Sequence, residues 1–180
     1  MPETAPEGTR INKSIIRLTK GDVTELEVDA FVFYAQHDLA LGSGFGTAIS
    51  VRGGPTVGQE LEKLGPLATG EAVITAAGGL KAKHIIHAVG PRFQEEDIEG
   101  KLRTTVLNSL KRAEEKHLER IGFPAMGAGY YGIAPDVCAR VMLDTLKSHL
   151  AGKTSIKECV ICVLDTVHYQ AFESRMAALS

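Results

Sequence analysis

The apolar residues of this chain fall into two rhythms. Six short runs carry clustered apolar residues: "KSIIRLT" (13–19), "VDAFVFYA" (28–35), "EAVITAAG" (71–78), "KHIIHAVGP" (83–91), "RIGFPA" (120–125) and "KECVICVL" (157–164). Runs of this length bounded by Gly, Pro and Asp read as strands. The second run carries so few polar residues that both its faces should be covered, as in a parallel sheet with helices on each side. Between the runs, apolar residues recur at helical spacing in "GTAISVR" (46–52), "PTVGQELEKLG" (55–65), "IEGKLRTTVLNSLKRAEEKHLE" (98–119), "PDVCARVMLDTLKSHL" (135–150) and "HYQAFESRMAAL" (168–179). Pro55 and Pro135 suit first helical positions and Gly65 suits a stop. Strands alternating with helices in this way predict a three-layer α/β/α sandwich with a mixed, mostly parallel central sheet.

In such a sheet, ligands bind beyond the carboxyl ends of the strands. Two glycine-rich loops, "LALGSGFGTAIS" (39–50) and "MGAGYYGIA" (126–134), each follow a predicted strand and precede a predicted helix, so both fall on that rim. Two such loops can offer several backbone N–H groups to one diphosphate. A plain turn needs only one or two residues at positive φ. The first loop is not a Rossmann fingerprint, since "GSGFGT" lacks the third glycine of G-x-G-x-x-G, and neither loop is followed by G-K-[ST].

Composition narrows the picture further. With 180 residues and 44% hydrophobic content the chain fits one domain, read as 11–180 after a polar leader over 1–10 that should fray. The net charge of −2 lacks the basic footprint of a general nucleic-acid binder. No apolar window is long enough for a membrane span, and no secretory signal is visible, so a cytoplasmic location is expected. Three cysteines give no disulfide framework. Cys159 and Cys162 have the CxxC spacing, but within an apolar strand they read as core thiols. His84 and His87 lie three apart on a predicted strand, hence on opposite faces, so no metal site and no cofactor are expected. His37 and Asp38 follow the second strand on the rim. A loop histidine there could serve as a general acid or base, though a solvated loop residue is the commoner outcome.

"GDVT" after the first strand, "VDAFVFYA", "GSGFGTAI", "KHIIHAVGP" and "GFPAMGAGYYGIAP" occur in the order and spacing of a macro domain, and the chain resembles that family over roughly 15–178. The resemblance implies binding of ADP-ribose. It implies that Asp22 accepts a hydrogen bond from the adenine amino group with the Val23 amide beside it. It assigns Gly42, Ser43, Gly44, Phe45 and Gly46 to the diphosphate and distal ribose, and Gly127, Ala128, Gly129, Tyr130, Tyr131 and Gly132 to the phosphates, with Tyr131 near the distal ribose and Tyr130 a candidate packing residue. From position alone, Asp22 reads as a turn or cap residue.

The departures from the family matter as well. "FYAQ" stands where the family usually has N-A-A-N, so Gln36 replaces an asparagine at the distal ribose. Gly46 stands where one hydrolytic branch has Asp. Leu164 stands where an aromatic ring often meets the adenine, which implies apolar contact without stacking. The resemblance leaves two functions open: binding of free ADP-ribose, an ADP-ribosylated protein or a related metabolite, or hydrolysis that removes ADP-ribose from proteins or deacylates or dephosphorylates its derivatives. Recognition of poly-ADP-ribose or an RNA end is disfavoured by the charge balance.

Overall fold

The computed structural model describes residues 8–42, 44–92, 94–128 and 132–179. Its centre is a seven-stranded sheet made of β1 (Thr9–Ile11), β2 (Ser14–Lys20), β3 (Ala30–Tyr34), β4 (Ala72–Ala76), β5 (His84–Ala88), β6 (Arg120–Phe123) and β7 (Glu158–Val163), in the order β1-β2-β7-β6-β3-β5-β4. The five inner strands are parallel, and β1 and β4 join the edges antiparallel. All five residues of β3 are buried, as its unbroken apolar run requires of a strand at the centre of a doubly covered sheet.

Alternation along the strands separates two cores. Ala30, Val32, Ile86, Ile121, Phe123, Cys159 and Ile161 meet α3 (Ile98–Glu115), α4 (Pro135–Leu150) and α5 (Thr166–Ala177). Leu102, Val106 and Leu110 of α3 present one stripe to this core, and burial of each contributes about 1.5–3 kcal/mol. On the other face Phe31, Phe33, Ile85 and Val89 pack against α2 (Pro55–Glu62) and the continuous helical stretch formed by α1 (Phe45–Ala48) and a π-helical turn (Ile49–Gly53). The three-layer arrangement follows directly.

Four local details differ from the sequence pattern. Thr9 and Arg10, expected to fray, pair with Ile16 and Ile15 in β1; residues 1–7 lie outside the described residues. The helix expected to run through Glu119 ends at Glu115, because His117 takes φ 55° and the Leu118 amide turns back to the Ala113 carbonyl. α5 starts two residues before His168, because Asp165 Oδ1 caps it by accepting from the His168 amide at 2.8 Å. The segment expected to be a plain helix over 46–52 changes to π-helical geometry from Ile49 onward.

Cys159 and Cys162 are core thiols, as their place in an apolar strand predicts. Cys138, Cys159 and Cys162 are buried and unpaired by disulfides, and Cys159 and Cys162 face the two different cores. Burial pushes all three thiols up, Cys162 to about 11 with the Asp22 charge adding to it, so they stay protonated. His84 is half-buried, whereas His87 is wholly buried. His87 Nε2 lies 2.9 Å from Thr75 Oγ1 and its Nδ1 has no partner among the described residues; burial lowers its pKa to about 3 and the ring is neutral. Among the described residues no cluster of three His, Cys, Asp or Glu could hold a metal ion, and no helix is long and apolar enough to cross a membrane.

Candidate ligand-binding site

The carboxyl ends of the parallel strands gather the loops after β2, β3, β5, β6 and β7 on one rim. After β2 the chain turns sharply: the Gly21 amide bonds the Val163 carbonyl at 2.8 Å, which fixes this loop to the end of β7. Asp22 then caps a 3₁₀ turn (Val23–Glu25), with Oδ1 accepting from the Thr24 amide at 2.8 Å and the Thr24 hydroxyl at 2.6 Å. The cap role that position alone favours is therefore real, but it uses only one oxygen. Among the described residues, Oδ2 has a single long contact, 3.4 Å to Arg52 Nη2. The Val23 amide, first of its turn, has no partner within it. Leu164, which follows Val163 at the end of β7, is 61% exposed.

The loop after β3 is fitted by shape. Gly42 has φ 66°, and a Cβ there would stand 2.7 Å from Gln36 Nε2, so Gln36 lies against the glycine loop. Gly44 has φ 63° and ψ −128°, a conformation that L side chains avoid, and space is open around it. Gly46 is buried, and a Cβ there would overlap the Leu41 carbonyl. The Thr47 and Ala48 amides bond the Gly44 carbonyl, at 3.1 and 3.3 Å, while the first amides of a helix, here those of Phe45 and Gly46, have no intrahelical partner. Phe45 is half-buried against the second core.

The loop after β6 begins with a comparable fit. Gly127 has φ 76°; a Cβ there would overlap Ile133 and stand 3.1 Å from Tyr34 Oη. The Ile133 amide closes the loop onto the Gly127 carbonyl at 3.0 Å. Ala128 is half-buried, and Gly132 is exposed with φ 81°. Ser43, Gly129, Tyr130 and Tyr131 lie outside the described residues.

The two catalytic candidates are both engaged by the protein. His37 Nδ1 lies 2.9 Å from the Leu67 carbonyl and must donate to it, and Nε2 lies 3.4 Å from Thr69 Oγ1. Thr69 Oγ1 in turn donates to Glu95 at 3.3 Å. The Leu67 amide returns a bond to the His37 carbonyl. Asp38 is exposed and its carboxylate accepts from the Ala40 amide at 2.9 Å, a local turn. Both side chains are held in place by the protein; with Nδ1–H donated to Leu67, the unprotonated nitrogen of His37 is Nε2, on the side of Thr69.

Two residues of this rim carry no sequence signal. Tyr34 ends β3 inside an apolar run, yet its hydroxyl donates to the Pro91 carbonyl and its ring fills the space that the missing side chain of Gly90 leaves. Arg52 looks like the solvated end of a helix but reaches across to Asp22, Thr24 and Glu25.

Comparisons with known proteins bear on the family and the fold. The macro domain family model matches residues 34–142. An uncharacterised protein of Saccharolobus solfataricus is 40% identical over 163 residues, covering 88% of this chain and 90% of that protein. A macro domain-containing protein of Caldanaerobacter subterraneus is 39% identical over 166 residues, covering 89% and 94%. Among solved structures, a variant macrodomain of Oceanobacillus iheyensis with ADPR superposes with a TM-score of 0.90 at 25% identity, covering 96% of this chain and 97% of that one. A Trypanosoma brucei macrodomain in complex with ADP-ribose superposes with a TM-score of 0.86 at 25% identity, covering 94% and 73%.

Proposed function

Because the chain belongs to the macro domain family, we propose that it binds ADP-ribose or a closely related derivative, free or attached to a protein or metabolite. Asp22 Oδ2 accepts the adenine amino proton, the Val23 amide stands beside it, and Leu164 supplies apolar contact. Gly42 to Gly46 and the loop from Gly127 to Gly132 bring backbone N–H groups to the diphosphate. Gln36 meets the distal ribose.

The observation that carries this reading is Asp22: one carboxylate oxygen is consumed by its own turn, and the other is left on the rim with one long contact. A carboxylate oxygen so presented suits an exocyclic amine. The glycine geometry supports the rest. Gly42 and Gly44 in one loop and Gly127 in the other take positive φ, a backbone conformation that glycine adopts at no steric cost. Titration calorimetry with ADP-ribose, AMP and NAD tests the proposal. ADP-ribose should bind in the micromolar range and AMP more weakly, since AMP lacks half the diphosphate and the distal ribose. Absence of heat with ADP-ribose, or equal affinity for AMP, would overturn it.

A further inference from the structure

Arg52 occupies an unusual position. The stretch Phe45–Gly53 starts at the first glycine loop and ends beside the Asp22 turn, and its second half is π-helical. A π-turn shifts the helix surface relative to an α-helix, and such turns occur often at functional sites. Here it delivers Arg52 to three acceptors at once: Thr24 Oγ1 at 2.5 Å from Nη2, Asp22 Oδ2 at 3.4 Å from Nη2, and Glu25 Oε1 beside Nη1. Lys81 Nζ lies 3.3 Å from the other oxygen of Glu25.

Donors and acceptors close consistently. The Thr24 hydroxyl donates to Asp22 Oδ1 and accepts from Arg52, so the guanidinium, Thr24 and Asp22 form one chain. A guanidinium holds two partners in a fixed fork, which a lysine cannot do. An exposed ion pair alone would contribute little. The Arg52 and Asp22 side chains are both 37% exposed, so the worth of this contact lies in orientation.

We infer that Arg52 is a positioning residue that aims Asp22 Oδ2 and thereby makes the site selective for a 6-aminopurine over a 6-oxopurine diphosphoribose. This deepens the proposed function and rests on it. With both terminal guanidinium nitrogens, Nη1 and Nη2, committed to the turn, the base finds an acceptor at its 6-position. An amino group gains a bond there, whereas an oxo group faces a carboxylate.

The test compares titration of ADP-ribose and of its hypoxanthine counterpart across the native chain, Arg52→Ala, Arg52→Lys, Thr24→Val and Asp22→Ala, with a thermal melt of each. Arg52→Ala should weaken ADP-ribose about tenfold, in line with losing the alignment of one charge-assisted hydrogen bond. It should leave the hypoxanthine counterpart within about twofold, so that selectivity collapses. Arg52→Lys should recover only part of it. Thr24→Val removes the middle of the chain, keeps Arg52, and should move selectivity in the same direction. If Asp22→Ala loses affinity while Arg52→Ala and Thr24→Val keep native selectivity, the inference is overturned and the base reading stands. If Arg52→Ala weakens both ligands equally, Arg52 only braces the fold and the inference also fails. If Asp22→Ala binds ADP-ribose as the native chain does, the assignment of Asp22 to the base is itself wrong.

Discussion

At one end of the rim, the turn from Asp22 to Glu25 is held by side chains: Asp22, Arg52, Glu25 and Lys81 form a run of hydrogen bonds and ion pairs around the buried Thr24. At the other end, the segment from Gln36 to Gly46 is held by close fit, with Gln36 against Gly42, Leu41 against Gly46, and His37 pinned to Leu67. The difference matters for what each end can tolerate. A side-chain network can lose a member and relax into water, so a substitution there should change recognition more than stability. A backbone fitted to within contact distance has nowhere to relax, because packed interiors respond to even one added carbon.

The largest effect is therefore expected at Gly46. In Gly46→Asp the new Cβ would overlap the Leu41 carbonyl, so the loop must move before the carboxylate can do anything. Stability should fall by about 3 kcal/mol or more and ADP-ribose affinity by about a hundredfold. A melt and a titration check this. A variant that binds normally would show that the loop shifts freely and that the two ends do not differ as described.

Next comes the side-chain end. Asp22→Ala removes a charge-assisted hydrogen bond to the base, about 1.5–3 kcal/mol, or tenfold and upward in dissociation constant by titration. It also removes a cap, about 1 kcal/mol of stability. Asp22→Asn separates the two, because asparagine caps a turn nearly as well: its melt should match the native chain while its affinity drops. If both properties fell together in Asp22→Asn, Asp22 would be a structural residue alone.

These contrasts also explain what could be read before the structure was seen. Parallel strands, helix positions and two covering layers were legible because β3, β5 and β7 are apolar on both faces and α3 carries an unbroken stripe. The glycines of the rim were legible as an anomaly, since a chain rarely places so many where the backbone should be ordered. What remained hidden were relations with no local trace. Arg52 looks like a helix-end charge, and only the π-turn swings it to Asp22. Gly46 looks like a missing catalytic side chain, yet its cause is the carbonyl five residues earlier. His37 looks available, and its partner Leu67 is thirty residues away. The start of α5 at Thr166 needed the Asp165 cap, which lies in a loop too short to announce itself.

A smaller effect separates two glycines of the same loop. Gly44 has open space but φ 63° and ψ −128°, so Gly44→Ala meets backbone strain of about 1–3 kcal/mol and no collision. A melting point between those of the native chain and Gly46→Asp is expected, with affinity lowered less than in Gly46→Asp. Equal damage at both positions would mean that strain, not contact, governs this end.

The smallest effect is expected where catalysis would first be sought. Water attack on an anomeric carbon is helped by a group within hydrogen-bond reach that positions the water or takes its proton. Gly46 supplies no side chain. His37 directs Nδ1 to the Leu67 carbonyl and Nε2 toward Thr69, and Asp38 accepts from the Ala40 amide. The Leu67 bond fixes the His37 ring and holds its loop against the segment before β4. It leaves Nε2 as the unprotonated nitrogen, so His37 would act as a base only through Nε2 and only if substrate reached that side of the ring. The expectation is weak or absent release of ADP-ribose from a mono-ADP-ribosylated protein by the native chain. The double variant His37→Ala, Asp38→Ala should lose about 1 kcal/mol of stability, the worth of an ordinary hydrogen bond, and change ADP-ribose affinity less than about fivefold. A time course of release with native and double-variant chains decides the matter. Multiple turnovers by the native chain that vanish in the double variant would place a hydrolytic centre on the loop after β3, with His37 Nε2 or the Asp38 carboxylate as the base. Turnovers that persist in the double variant would point instead to the ligand's own phosphate as the group that holds the water.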